Sequence, residues 1–215
     1  MQKVVVQRVP RFGGAALFHF EYWTALFLLG DPMRYISRGS AMVMALLVLG
    51  VSVASAQYPQ TRKGFWIGFG VGYGSYGISC SSCSGLGRES SFTGHLRLGG
   101  TVSPHLLLGA ESIAWTKSEN GATVTAGNLS LAADYYPQPA GGLFLSAGVG
   151  FSRAEASQGG SSAGNTGPGF TIGGGYDVRV SANTSVTPIA NFVWGHPDSG
   201  FSHNFFQFGV GVTFH

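Results

Sequence analysis

The chain has 215 residues, a formal charge of +3 from 12 basic and nine acidic side chains, 35 glycines and two cysteines. Only 10% of its residues are charged and no basic run follows position 56, so there is nothing to grip nucleic acid. Two cysteines cannot build a disulfide scaffold, and the length allows one ordinary domain.

Residues 1–56 read as lying outside that domain. Met33 begins a short basic lead with Arg34 and Arg38, an apolar run follows from Ala41 to Val53, and Ala54, Ser55 and Ala56 supply small residues before a cut. That is the three-part secretory signal, and its apolar run is too short to cross a bilayer as a helix. A signal starting at Met33 makes residues 1–32 a non-native N-terminal extension; His19 and Glu21 argue against a spanning helix there. The expected organisation is therefore extension 1–32, signal peptide 33–56 and folded domain 57–215. After the cut the charges balance, with Arg62, Lys63, Arg88, Arg97, Lys117, Arg153 and Arg179 against Glu89, Glu111, Glu119, Asp134, Glu155, Asp177 and Asp198.

From residue 64 onward the apolar residues recur at every second position, the signature of strands with one apolar face. The first strand, 64–76, carries Phe65, Ile67, Phe69, Val71 and Tyr73 on one face and Gly68, Gly70, Gly72 and Gly74 on the other. A polar stretch, 77–88, holds Cys80 and Cys83. In a secreted chain such a pair most simply forms a loop disulfide; free thiols or a metal or redox role are the alternatives, and zinc would need two further ligands.

Strands follow at 89–98, with His95 and Arg97, and at 105–117, with Glu111 and Trp115. Those at 122–136 and 143–154 come next, the latter with Leu143, Leu145, Ala147, Val149 and Phe151 on its apolar face. The sixth, 167–179, places Phe170, Ile172, Gly174, Tyr176 and Val178 on one face and Asp177 and Arg179 on the other. A seventh at 186–194 contains Pro188, tolerable only where its missing N–H is not needed. Tight turns at 99–104, 137–142 and 180–185 alternate with longer polar loops at 77–88, 156–166 and 195–203; the short tip at 118–121 is the exception.

Arg97, Glu111, Asp134, Asp177 and Arg179 fall on the polar faces. All but Glu111 lie near the tight turns, so one neutral interior ion network of Arg97, Asp134, Asp177 and Arg179 is expected there, acting as a plug in preference to a proton or ion path. The 195–203 loop gathers His196, Asp198, Ser199, Ser202 and His203. Adjacent residues such as Ser202 and His203 point to opposite faces of a strand, so the cluster is expected to be polar loop and not a catalytic centre.

The final strand, 204–215, alternates most cleanly. Phe206, Phe208, Val210, Val212 and Phe214 share a face opposite Gln207, Gly209, Gly211, Thr213 and His215. Eight strands, no charge on the apolar faces, turns of alternating length and a secretory signal together predict an all-β, eight-stranded antiparallel up-and-down transmembrane β-barrel. Residues 57–215 resemble the small eight-stranded outer-membrane barrels, the OmpA and OmpX barrels among them. The resemblance implies that the face from Phe206 to Phe214 is the signal read by the barrel-assembly machinery, although here His215 follows the closing aromatic.

The function expected is a monomeric outer-membrane protein with a structural or surface-interaction role and no open pore. It would have no catalytic residues, no cofactor and no metal; its partners would be outer-membrane lipid and the assembly machinery, with no nucleic acid and no identified external ligand. The alternatives are a lipid A-modifying barrel enzyme and a soluble lipocalin-like barrel, which would put the apolar face inside. N-terminal sequencing of the exported protein should begin at Gln57; a start upstream of Met33 would refute both the cut and the extension.

Overall fold

The computed structural model describes residues 60–80, 87–198 and 200–215. The expected extension, signal peptide and cut all lie outside these residues, as does Cys83. Every strand pairs antiparallel with its neighbours: β1 (Phe65–Cys80), β2 (Glu89–Ser103), β3 (Leu106–Glu119), β4 (Ala122–Tyr135), β5 (Leu143–Gln158), β6 (Ser161–Tyr176), β7 (Val178–Arg179), β8 (Thr184–Asp198) and β9 (Phe201–Phe214). β6 and β7 are one strand interrupted at Asp177, and both pair with β8. β9 pairs with β1 from Ile67↔Phe214 to Cys80↔Phe201, so eight strands close on themselves.

The interruption has a local cause. The register on either side of it sets Tyr176 opposite Pro188, which has no N–H to contribute to the ladder. On its other side Asp177 continues the pairing with β5, donating its N–H to the Gly142 carbonyl, 2.9 Å away.

Alternation sorts the side chains as periodicity predicts. Phe65, Val71, Phe92, Leu131, Val149 and Phe151 stand outside, each at least 64% exposed, while Trp66, Trp115, Phe144, His95, Arg97 and Arg179 are buried within. Val178 departs from this; it is buried beyond the interruption. A soluble barrel would show the reverse arrangement, and a wall this apolar needs lipid against it.

The polar loops are shorter than expected. β5 and β6 run through most of 156–166 and turn on Gly159 and Gly160, at φ 58° and 83°. β8 and β9 likewise absorb nearly all of 195–203. These strand ends carry no apolar face, so hydrophobic alternation could not reveal them. Asn120 and Gly121, also at positive φ, make the tight β3–β4 turn.

The glycine row of β1 lets the closing seam form. A Cβ on Gly72 would press into the Phe208 carbonyl and lie 2.8 Å from the Gly209 Cα, both backbone atoms of β9 that cannot swing away. At Gly100, on the outer wall of β2, a Cβ would meet nothing within 4 Å. Gly72→Val should therefore abolish the heat-modifiable folded band on gels, whereas Gly100→Val should leave it intact.

Candidate functional site

The barrel interior gathers the chain's buried charge into two centres near the short-turn end. In the first, Arg97 on β2 reaches across the lumen to acids on both following strands. Its Nε lies 3.0 Å from Glu111 Oε2 on β3, and its Nη2 bonds to Asp134 Oδ1 on β4 and, at 3.1 Å, to Ser146 Oγ on β5. Phe144 and Trp66 present their rings at 5.3 and 5.7 Å from the guanidinium carbon. All three charged side chains are at most 8% exposed.

The second centre is Asp177. Tyr136 and Thr187 donate to its two carboxylate oxygens, each at 2.8 Å, and Arg62 and His215 approach Oδ2 at 3.5 Å. Gln60 donates to its backbone carbonyl at 2.9 Å. Burial, reinforced by the Asp177 and Asp134 carboxylates, pushes the Tyr136 phenol up, so it stays a donor.

Arg62, ahead of β1, ties this centre shut. Its guanidinium lies 3.5 Å over the Tyr136 ring and donates to the Pro139 and Gly141 carbonyls at 2.9 and 2.8 Å. Arg179 does not join a carboxylate directly; it donates to the Thr61 carbonyl at 2.9 Å and reaches that of Ala182. Arg97, Asp134, Asp177 and Arg179, expected in one network, are thus divided, with Glu111, the fifth lumen-facing charge, beside Arg97 and Arg62 brought in at Asp177. Arg62 precedes the alternating pattern, so no periodic signal marked it.

Further toward the other end the lumen is filled by neutral polar contacts. Asn191 donates to Gln207 at 3.1 Å and Gln207 to Thr93 at 2.9 Å. Ser152 Oγ and His203 Nε2 share a hydrogen bond of 2.7 Å, with Tyr76 beside the imidazole. The polar-face parity of β5 and β9 could have placed both residues in the lumen. A serine–histidine contact is the core of many nucleophilic sites, but both side chains are at 0% exposure and His203 Nδ1 has no carboxylate oriented on it.

Elsewhere in the 195–203 segment, His196 stacks on Trp194 and Asp198 accepts from Asn165. Among the described residues no three His, Cys, Asp or Glu side chains converge as metal ligands. The space left between Trp66, His95, Arg97, Asp134, Tyr136, Asp177 and their neighbours is about 10 Å³, near the size of one water. Phe206, Phe208, Val210, Val212 and Phe214 all lie on the outer wall of β9.

This chain belongs to the family described as outer membrane protein beta-barrel domain, whose model matches residues 43–214. Comparison with curated protein sequences gives no match. Among solved structures, the chain is similar to the Neisserial surface protein A, NspA, at 17% identity and a TM-score of 0.50, covering 72% of this chain and 98% of that one. At this identity the likeness shows a shared fold, a small outer-membrane barrel. The chain is similar too to Ail, the attachment invasion locus protein of Yersinia pestis, solved in complex with the heparin analogue sucrose octasulfate (10% identity, TM-score 0.46, 70% and 99% covered). The N-terminal β-barrel domain of Pseudomonas aeruginosa OprF gives 16% identity, a TM-score of 0.44, and 72% and 100% coverage.

The Arg97 centre predicts an asymmetry. Arg97→Met would leave two carboxylates buried together and should cost about 3–5 kcal/mol, whereas Asp134→Asn leaves the Arg97–Glu111 pair balanced and should cost much less. Urea unfolding in thin bilayers measures both; equal small losses would mean that Arg97 is solvated.

Proposed function

We propose that this protein is a closed, non-conducting outer-membrane barrel with a structural role or a role in contacts made at the cell surface. The observation that carries the reading is the filled lumen: about 10 Å³ remains around the two ion centres, and Arg62 lies across the short-turn mouth. Eight strands leave room inside for side chains and not for a water column. In this reading the short turns face the periplasm and the β5–β6 and β8–β9 hairpins stand outside, as in barrels of this class.

The associated proposals follow the same logic. The chain is exported through a signal cleaved after Ala56, assembled by the machinery that reads the outer face of β9 from Phe206 to Phe214, and held as a monomer by lipid. Cys80 and Cys83 form a disulfide in the oxidising envelope, constraining one loop tip. An enzyme acting on lipid A would need a nucleophile open to the bilayer or to solvent; the buried Ser152–His203 pair does not support that reading.

Purified barrel in planar bilayers should give no stable unitary conductance; large openings of one size would overturn the proposal. An epitope inserted between Gly159 and Gly160 should be reached by antibody on intact cells. Reactivity only after the outer membrane is permeabilised would reverse the orientation.

A further inference from the structure

Among the described residues two arginines lie on the outside of this barrel, and one of them, Arg88, has no carboxylate partner there. Arg88, just before β2, folds back against the wall formed by β1 and β9. Its Nε donates to Ser75 Oγ at 3.0 Å, its Nη1 to Asn204 Oδ1 at 2.7 Å, and its Nη2 to the Ser75 carbonyl. Gly77 makes room for it, since a Cβ there would meet Nη1 at 2.7 Å. The guanidinium carbon stands 5.4 Å from the centre of the Phe206 ring.

Its level on the wall is set by register. Ser75 and Asn204 are the first polar residues above the outward row of Phe69, Val71 and Tyr73 on β1 and of Phe206, Phe208 and Val210 on β9. Trp194 pairs with Asn204 at the same height. Aromatic residues of a barrel gather at the boundary between acyl chains and headgroups, so Arg88 sits where lipid phosphates lie. A guanidinium has five N–H donors; with Nη2 also reaching the Asn204 carbonyl at 3.5 Å, four on Arg88 are directed at the wall, and one N–H of Nη1, with the cation's charge, is left for an anion.

Beneath Arg88 the wall is hollowed. Phe206 also lines an apolar groove of about 480 Å³, with Phe208, Phe192, Leu145 and Ile172 as its sides and Ala190 in its floor. Cation above, aromatic ring between, apolar groove below: this is the profile of a lipid with an anionic head and an acyl tail.

We propose that Arg88 and this groove form a binding site for one anionic phospholipid, whose phosphate charge no headgroup cation offsets as choline does in phosphatidylcholine. The phosphate pairs with the guanidinium and an acyl chain lies in the groove against Phe206, Phe192 and Ala190. The site does not depend on which end of the barrel faces outward or on whether the lumen conducts. Arg153, the other outward arginine, differs in being engaged by Glu155 at 2.6 Å, which leaves it a poorer phosphate partner.

The test uses folded barrel reconstituted with equal amounts of ditetradecanoyl phosphatidylglycerol and phosphatidylcholine, then native mass spectrometry of the lipids retained. One phosphatidylglycerol should be kept in preference to phosphatidylcholine by about tenfold, the scale of one charge-assisted contact. Arg88→Gln should bring the two lipids to parity, Arg153→Gln should leave the preference unchanged, and Ala190→Phe should reduce retention of both. Heat-modifiable mobility verifies that each variant is folded. Equal retention by the original protein, or a preference that survives Arg88→Gln, overturns the site; loss of preference in Arg153→Gln as well reduces it to general surface charge.

Discussion

In lipid a backbone N–H or C=O without a partner has no water to turn to, and that constraint governs everything else in this molecule. An open sheet would carry two such edges. β9 must therefore find β1, and the seam from Ile67↔Phe214 to Cys80↔Phe201 completes the ladder. The ladder lapses opposite Pro188, at the short-turn end, while Asp177 keeps its bond to Gly142 on the β5 side. Closure at eight strands then fixes the bore, and the bore decides what the interior can hold.

What it holds is charge, most of it set against charge of the opposite sign. Arg97 faces two carboxylates, Asp177 collects two hydroxyl donors as well as Arg62 and His215, and Arg179 donates from its two Nη groups to backbone carbonyls. A low-dielectric lumen makes such contacts strong and their loss costly. The outer wall obeys the opposite rule, where a charge survives only at the level of the headgroups, as Arg88 does.

The apolar half of the fold was legible in the sequence because lipid contact imposes strict alternation from Phe65 to Phe214. Inward residues such as Arg97, Glu111 and Arg179 were legible from the same parity. Four things were not. The strand ends around Gly159 and Asp198 have polar side chains on both faces, so no period distinguishes strand from loop. Partner choice among the interior charges depends on how far each strand is sheared against the next, which sequence spacing does not record; hence Glu111 meets Arg97 and Arg179 meets the Thr61 carbonyl. Arg62 lies ahead of the pattern, and its role appears only once the mouth it covers exists. The Ser152–His203 contact joins β5 to β9 across the lumen, a distance in sequence that no motif would have bridged.

Asp177 is approached from four separate parts of the chain: Arg62 ahead of β1, Tyr136 after β4, Thr187 on β8 and His215 after β9. Each arrives through a different set of seams. A slip of one residue at a seam displaces a partner by roughly 3.3 Å and swings its side chain to the lipid side. The carboxylate therefore works as a gauge of the whole barrel's shear. Only one combination of registers delivers all four partners together, and competing closures are left holding an uncompensated charge in a dry interior.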